Sequence, residues 1–339
     1  MRAIVLDDYR GDVGEAIRGL KVTERPISTL QRGQVLVRIA AAPCNPSDLL
    51  LLQGKYGTLK KLPTVPGWEG AGTVIAGGGG WLANLIHGKR VACAIRDDRD
   101  GTWAEYVVAD ANTCVPLKRN VTFEQGASLI INPLTAIGLL DTARRDGHRA
   151  AVHTAAGSQV GRMLLALAAE ADYPLIHVVR RQAQVELLKS RGAGHVLISS
   201  CDDFAEQLRS LCNQLRATAV FEAIAGPMTG AVLNAMPPRS TAYLYGALSE
   251  EACGNIDPVQ LIFHEKCLRG FYLGHWLRRR GPIGALRAAG RVQKMILDGR
   301  LQTAVQRRLK FDEVVDGLLQ YVQNMTDGKM LITPFVNNS

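Results

Sequence analysis

Two features of this chain have residue types and spacing suited to binding an anionic ligand: a turn of small residues between Ala156 and Gly161, and the pair Arg180 and Arg181. Both lie in the stretch Ala150 to Arg181, AAVHTAAGSQVGRMLLALAAEADYPLIHVVRR, which reads as a strand, a turn, a helix and a second strand. In such a unit the amides that open the helix face a pyrophosphate, and the helix dipole favours negative charge there. The dinucleotide fingerprint wants glycine at 156, 158 and 161; the chain has Ala156, Ser158 and Gly161, with Gly157 between them. A turn of this kind serves either phosphate binding or plain packing of helix on strand. At the end of the second strand an acid would bind the ribose 2'-hydroxyl of NAD, whereas arginine accommodates the 2'-phosphate of NADP. With no carboxylate between Asp172 and Glu186, the arginine pair favours NADP(H), the alternative being a solvated basic pair at a strand end.

The elements needed to position such a site can be read on either side of it. From Met1 to about Lys118, short strands alternate with turns: Ala3 to Leu6, Gln34 to Ala41, Ala71 to Ile75, Arg90 to Ala94 and Ala104 to Val108, an all-β, barrel-like pattern. Helices follow over Phe123 to Ser128 and Pro133 to Arg145. Further strands are expected at His195 to Ile198, Ala219 to Glu222 and Thr241 to Tyr245, with amphipathic helices at Gln182 to Ser190, Phe204 to Leu215 and Thr229 to Met236. This alternation gives a parallel sheet covered on both faces. Pro282 to Asp298 reads as a helix and Lys329 to Thr333 as a last strand. The Gly77 to Gly80 run lacks the Lys-Ser/Thr of a phosphate loop and reads as a hairpin turn.

Composition sets the bounds. The 339 residues, 47% hydrophobic and 21% charged, allow two domains with sizeable cores. The net charge is +9, but the basic residues are scattered apart from Arg278 to Arg280, so the balance favours small anionic ligands over nucleic acid. The arginine triplet reads as an exposed loop flanking a helix, or as a contact for the phosphates of a thioester carrier. Seven cysteines without C-x-x-C spacing fit a reducing compartment, free of structural disulfides and thiolate zinc sites. The start, MRAIVLDDYRG, is too acidic for a signal peptide, and no segment has the length of a membrane span, so a cytoplasmic protein that does not enter membranes is expected.

Four phrases then carry a resemblance: NPSDLLLLQGKYG (Asn45 to Gly57), PGWEGAGTV (Pro66 to Val74), INPLTAIGLL (Ile131 to Leu140) and LIFHEKCLRGFYLGHW (Leu261 to Trp276). In this order, with the AAGSQVG turn, they resemble the medium-chain dehydrogenase/reductase superfamily, and most of all its zinc-free branches, the 2-enoyl thioester reductases and quinone oxidoreductases. The implied fold is α/β. A GroES-like β-barrel catalytic domain (1–118, completed by 263–339) is joined to a Rossmann domain with a doubly wound parallel sheet (119–262), and the site lies at the carboxyl ends of the parallel strands. The resemblance also implies that no metal is held: Asn45 and Trp68 stand where the zinc enzymes of the superfamily carry a cysteine and a histidine, and neither is a zinc ligand of that kind.

Without a metal, reduction of an activated alkene needs a donor for the enolate oxygen and a proton for the α-carbon. The enoyl reductase phrase places that tyrosine at Tyr56; in the quinone reductases the matching tyrosine only lines the pocket. The resemblance carries Asn132 over as a cofactor and active-site contact, or as the N-cap of the Pro133 helix, with Thr135 one turn on. Asn45 joins the cofactor contacts. Gly157, Ser158, Gln159 and Val160 match the pyrophosphate turn, although glycine is usual where Gln159 stands. Tyr245, Gly246, Ala247 and Leu248 match a segment facing the nicotinamide, as do Phe271, Tyr272 and Leu273. Lys329 matches a cofactor-contacting lysine, or reads as a solvated turn residue beside Asp327 and Gly328. The expected activity is NADPH-dependent reduction of an enoyl thioester or enone, the alternatives being quinone reduction and a non-catalytic NADPH-binding role. A homodimer or homotetramer is the expected assembly. Cys44 has no adjacent base, and His153 and His177, in strands without partner acids, read as structural.

Overall fold

The computed structural model describes residues 1–335, and it divides into two compact units, one built from Met1 to Pro133 and the chain from Pro282 onward, the other from Leu134 to Gly281. Both divisions come later than the expected boundaries at 118/119 and 262/263, and 336–339 of the expected last segment lie outside the described residues.

In the first unit the chain runs β1 (Arg2–Val5), α1 (Val13–Arg18), β2 (Lys21–Glu24), β3 (Gln34–Pro43), α2 (Pro46–Leu52), β4 (Glu69–Gly77), α3 (Trp81–Ile86), β5 (Arg90–Ala94), β6 (Tyr106–Asp110), β7 (Cys114–Pro116) and α4 (Phe123–Ala127). The long strand β3 organises it. Val35, Val37 and Ile39 alternate along β3 and are fully buried, the period of two that turns one face of a strand to the core. Antiparallel to β3 lie β4 on one side and β6 on the other, and β5 and β7 extend the sheet beyond β4. Strands β3 and β4 approach so closely that a Cβ on Gly72 would stand 2.0 Å from the Arg38 carbonyl oxygen, which leaves glycine as the residue that fits. The Gly77 to Gly80 run is not a hairpin turn: it leads from β4 into α3, with Gly79 and Gly80 at φ 94° and 95°.

The helix α5 (Ile131–Arg145) crosses from the first unit into the second, which continues β8 (Ala151–His153), α6 (Gln159–Glu170), β9 (Leu175–Val179), α7 (Gln182–Lys189), β10 (His195–Ile198), α8 (Phe204–Leu215), β11 (Ala219–Glu222), α9 (Pro227–Ala235), β12 (Thr241–Leu244), α10 (Pro258–Ile262) and β13 (Cys267–Gly270). All six strands are parallel, in the order β10-β9-β8-β11-β12-β13. Every residue of β8, β9 and β11 is buried, as expected for strands covered on both faces. The order reverses beside β8, the switch point at which open α/β sheets bind ligands outside their carboxyl ends.

The chain returns through α11 (Leu273–Leu297), broken at Gly281 (φ 70°, ψ 170°) before Pro282, then β14 (Val305–Leu309), α12 (Val314–Gln323) and β15 (Lys329–Ile332). Strand β15 pairs with the end of β3 at Ala42 and Pro43 and so completes the first unit's sheet from the far end of the sequence. Arg278 to Arg280 belong to α11 and not to a loop, and Arg280 donates to Asp141 at 2.8 Å.

Candidate active site

In the second unit the small-residue turn joins β8 to α6. Ala155 takes a positive φ of 50°, and the Ser158 hydroxyl caps α6 by accepting from the Gly161 amide at 3.2 Å. Helix and turn are packed so tightly that a Cβ on Gly161 would lie 2.1 Å from the Ala156 carbonyl oxygen. Gln159, the departure from the usual glycine, folds its side chain along its own helix, where Oε1 accepts from Arg162 at 2.6 Å. Gln184 ties this turn to the arginine pair. Its Oε1 accepts from the amides of Arg180 and Arg181, both at 3.2 Å, and its side chain stands 3.0 Å from the place a Gly157 Cβ would take. Both arginines are exposed, at the end of the strand that follows α6.

Glu222, at the end of β11, is fully buried. Its carboxylate accepts from Thr154 Oγ1 (2.8 Å), Thr229 Oγ1 (2.7 Å) and the amides of Ile224 and Ala225 (2.8 Å each), which fixes the loop after β11 to the end of β8. On that loop rests the segment Tyr245 to Leu248: Tyr245 donates its amide to Glu222 O at 2.9 Å, and Leu248 to Ala223 O at 3.1 Å. Gly246 lies close against Ala223, and Ala247 is part-buried. Phe271 donates its amide to Leu244 O and sets its ring against Gly138 of α5, while Tyr272 is 40% exposed and Leu273 opens α11. Thr135 is part-buried on α5.

The first unit holds a buried polar cluster. Asn45, Asp48, Glu69 and Lys329 are each no more than 3% exposed. The Asn45 amide is oriented by its partners: Nδ2 donates to Glu69 Oε1 (3.0 Å), and Oδ1 accepts from Lys329 Nζ and from Asn132 Nδ2 (3.4 Å). Glu69 Oε2 also accepts from the amides of Ile130 (3.0 Å) and Ile131 (2.9 Å), and Asp48 accepts from those of Asn45 (2.7 Å) and Trp68 (3.1 Å). Burial pushes the Asp48 carboxyl up to about 7 and raises Glu69, because the charged form loses its hydration. Asn132 lies within the first turn of α5 and is not its N-cap, and Lys329 is not a solvated turn residue: it is buried on β15. The Cys44 thiol is fully buried and raised well above the usual range by burial, which leaves it inert.

Tyr56 stands beside this cluster on the loop after α2, its ring 4.8 Å from that of Trp68 and tilted by 34°. Across Trp68, the Lys60 ammonium sits 4.4 Å from the ring centroid and donates to Arg99 O. Sequence reasoning missed Asp48, Glu69 and Lys60 as members of the site. For the first two a signal was present, since NPSD and GWEG put carboxylates within quoted motifs; for Lys60 none was.

Residues 31–119 match the family model of the alcohol dehydrogenase GroES-like domain, and residues 160–287 that of zinc-binding dehydrogenases. A protein from Mesorhizobium loti assigned as an NADPH:quinone reductase is 36% identical, with 98% of each chain covered and a TM-score of 0.89. The chain belongs to the medium-chain dehydrogenase/reductase superfamily. It falls in the zinc-free branch that holds quinone oxidoreductases and enoyl reductases. The mitochondrial enoyl-[acyl-carrier-protein] reductase of Rattus norvegicus is 27% identical over 277 residues, 80% of this chain and 73% of the relative. A mycobacterial protein solved in complex with NADPH is 25% identical, covered over 98% of this chain and 100% of its own, with a TM-score of 0.82.

The superfamily's zinc does not fit the donors found here. Asn45 Oδ1 is already committed to an ammonium and an amide, Glu69 accepts three donors, and Trp68 presents an indole N–H. Among the described residues no three His, Cys, Asp or Glu side chains are grouped to hold an ion.

Proposed function

We propose that this protein is an NADPH-dependent, zinc-independent reductase of activated C=C bonds, taking a 2-enoyl thioester or a related α,β-unsaturated carbonyl. The observation that carries this reading is the Tyr56 ring packed against Trp68 at a tilt of 34°, beside a buried Asn45–Lys329–Asn132 network where zinc ligands stand in other members of the superfamily. In the second unit, Gly157, Gln159 and Val160 offer amides at a helix start to the pyrophosphate beside the Ser158 hydroxyl, whose own amide is held by Ala155 O, and Arg180 and Arg181 offer guanidinium groups to the 2'-phosphate. Within the second unit, Tyr245 to Leu248, Phe271 to Leu273 and Thr135 are assigned to the cofactor, and within the first unit Asn45, Asn132 and Lys329 are assigned to it. NADPH supplies the hydride when bound. The chain's part is to hold the acceptor's carbonyl oxygen and to deliver a proton: Tyr56 Oη donates to the oxygen on which charge develops and gives its proton toward the α-carbon.

The likeness to the Mesorhizobium loti protein favours a second reading, quinone reduction, in which a tyrosine acid is not required. Following NADPH oxidation with a short trans-2-enoyl-CoA and with a simple quinone separates the two, with NADH as control. Thioester turnover falling about 10²-fold or more in Tyr56→Phe, at unchanged NADPH affinity, is the expected result. Quinone turnover alone, with Tyr56→Phe still active, would select the second reading. Stoichiometric zinc in the purified protein would remove the metal-free mechanism. No described helix is long and apolar enough to cross a membrane, and the seven free thiols suit a reducing, cytoplasmic setting. Strand β13, which ends the parallel sheet with Leu268 exposed, supports self-association as a homodimer or homotetramer, to be read by light scattering.

A further inference from the structure

His153 is the last residue of β8 and is fully buried. Its Nε2 lies 2.8 Å from the Tyr245 oxygen, and the two rings are within 20° of parallel, with centroids 6.1 Å apart. Tyr245 follows β12 and is part-buried. In register, His153 pairs with Phe221 and Phe221 with Tyr243, so Tyr245 projects two residues beyond His153 toward the carboxyl end of the sheet.

The imidazole stays neutral. It is buried, and His177 stands beside it on β9 in direct register. A neutral ring has one N–H, and which nitrogen carries it decides the direction of the bond to Tyr245. If Nε2 accepts the phenol proton, the N–H sits on Nδ1, a buried atom with no protein partner. If Nε2 donates to the phenol oxygen, Nδ1 keeps only an unused lone pair and the proton left without a protein partner is the phenol's, on a part-buried side chain rather than on a fully buried ring, which is the smaller penalty. The second arrangement also leaves the phenol proton free to point away from the sheet.

We propose that His153 is a positioning residue whose Nε2–H holds the Tyr245 oxygen and so turns the phenol into a pre-aimed donor for an acceptor oxygen of the bound dinucleotide. This rests on the NADPH reading of the second unit. The surrounding frame is rigid for the same purpose: Thr154, next in sequence, is bonded to Glu222, and Glu222 O receives the Tyr245 amide. The proposal gives His153 work that its lack of a partner acid hides in the sequence.

Two measurements test it. Nitrogen NMR of histidine-labelled protein, without cofactor, should show His153 protonated at Nε2, and the signal should change in Tyr245→Phe. Titration of NADPH by its fluorescence should show about a tenfold weakening in Tyr245→Phe, the same in His153→Phe, no further loss in the double variant, and recovery of most of the lost affinity in His153→Gln, whose amide can donate to the phenol. Thermal melts confirm that each variant is folded. Protonation at Nδ1, unaltered NADPH affinity in Tyr245→Phe, or additive losses in the double variant would overturn the proposal and leave the cofactor reading intact. Wild type that fails to bind NADPH at any concentration would overturn the cofactor reading, and this proposal with it, whatever tautomer the nitrogen spectrum reports.

Discussion

Each unit buries carboxylates beside its candidate site, one in the second unit and two in the first, and the two units handle them in opposite ways. Among the described residues, Glu222 in the second unit meets four neutral donors, two hydroxyls and two amides, which form a fixed frame around its two oxygens. Glu69 and Asp48 in the first unit share their surroundings with the Lys329 ammonium, and burial raises both. A carboxylate saturated by neutral dipoles holds geometry. A group of charges that shares too few partners holds geometry and also responds to the charge of whatever comes to rest beside it. The frame belongs to the loop under Tyr245, and the responsive cluster to the residues beside Tyr56.

Removing a charge should therefore cost more in the first unit. Lys329→Met leaves two buried carboxylates without their cation, and a loss on the order of 3–5 kcal/mol in urea unfolding is expected. A loss under about 1 kcal/mol would mean that Asp48 is already neutral and that the cluster holds together without the ammonium. Glu222→Gln should cost less, roughly 1–3 kcal/mol, because one oxygen that accepts from two donors becomes an NH2 group facing them. If the two losses were equal, the contrast between frame and responsive cluster would not stand.

How much of this could be read beforehand differs between the same two regions. The parallel sheet was legible because its strands are short, local and apolar throughout: β10, β11 and α8 fall on the expected residues. The turn before α6 and the arginine pair after β9 were legible as structure because both are built from neighbours in sequence. The first unit was harder. Lys329 reaches Asn45 across 284 positions because β15 pairs with the end of β3, and neither turn chemistry nor periodicity records such a pairing. The strand β14 carries little apolar signal, since Leu309 is the buried residue of its five, and it pairs with β15 at the end of the sheet. His153 has no partner acid near it in sequence, and its partner is a phenol 92 positions away.

The finest test of the contrast is a pH slope. Burial holds Asp48 at about 7 in the folded protein against roughly 3.9 unfolded, so between those values the folded state binds more protons. The stability this contributes is fully present below about 4 and is lost as pH rises through 7, by at most about 1.4 kcal/mol per pH unit. His153 and His177 work the other way. Burial lowers them to about 3 and about 4, so their contribution is present above the unfolded value of about 6.5 and is lost as pH falls toward the folded one. The opposing slopes blur the profile of wild type alone, but the histidines are common to wild type and Asp48→Asn. The difference between the two profiles from pH 4 to 8 therefore isolates Asp48. Asparagine adds a constant offset, since only one of the Asn45 and Trp68 amides keeps an acceptor, and it removes the slope. A difference that falls steadily up to about pH 7 and is flat above it is the expected outcome. A difference flat throughout would mean that Lys329 keeps Asp48 ionised across this range, and the first unit's cluster would then hold geometry without responding to pH.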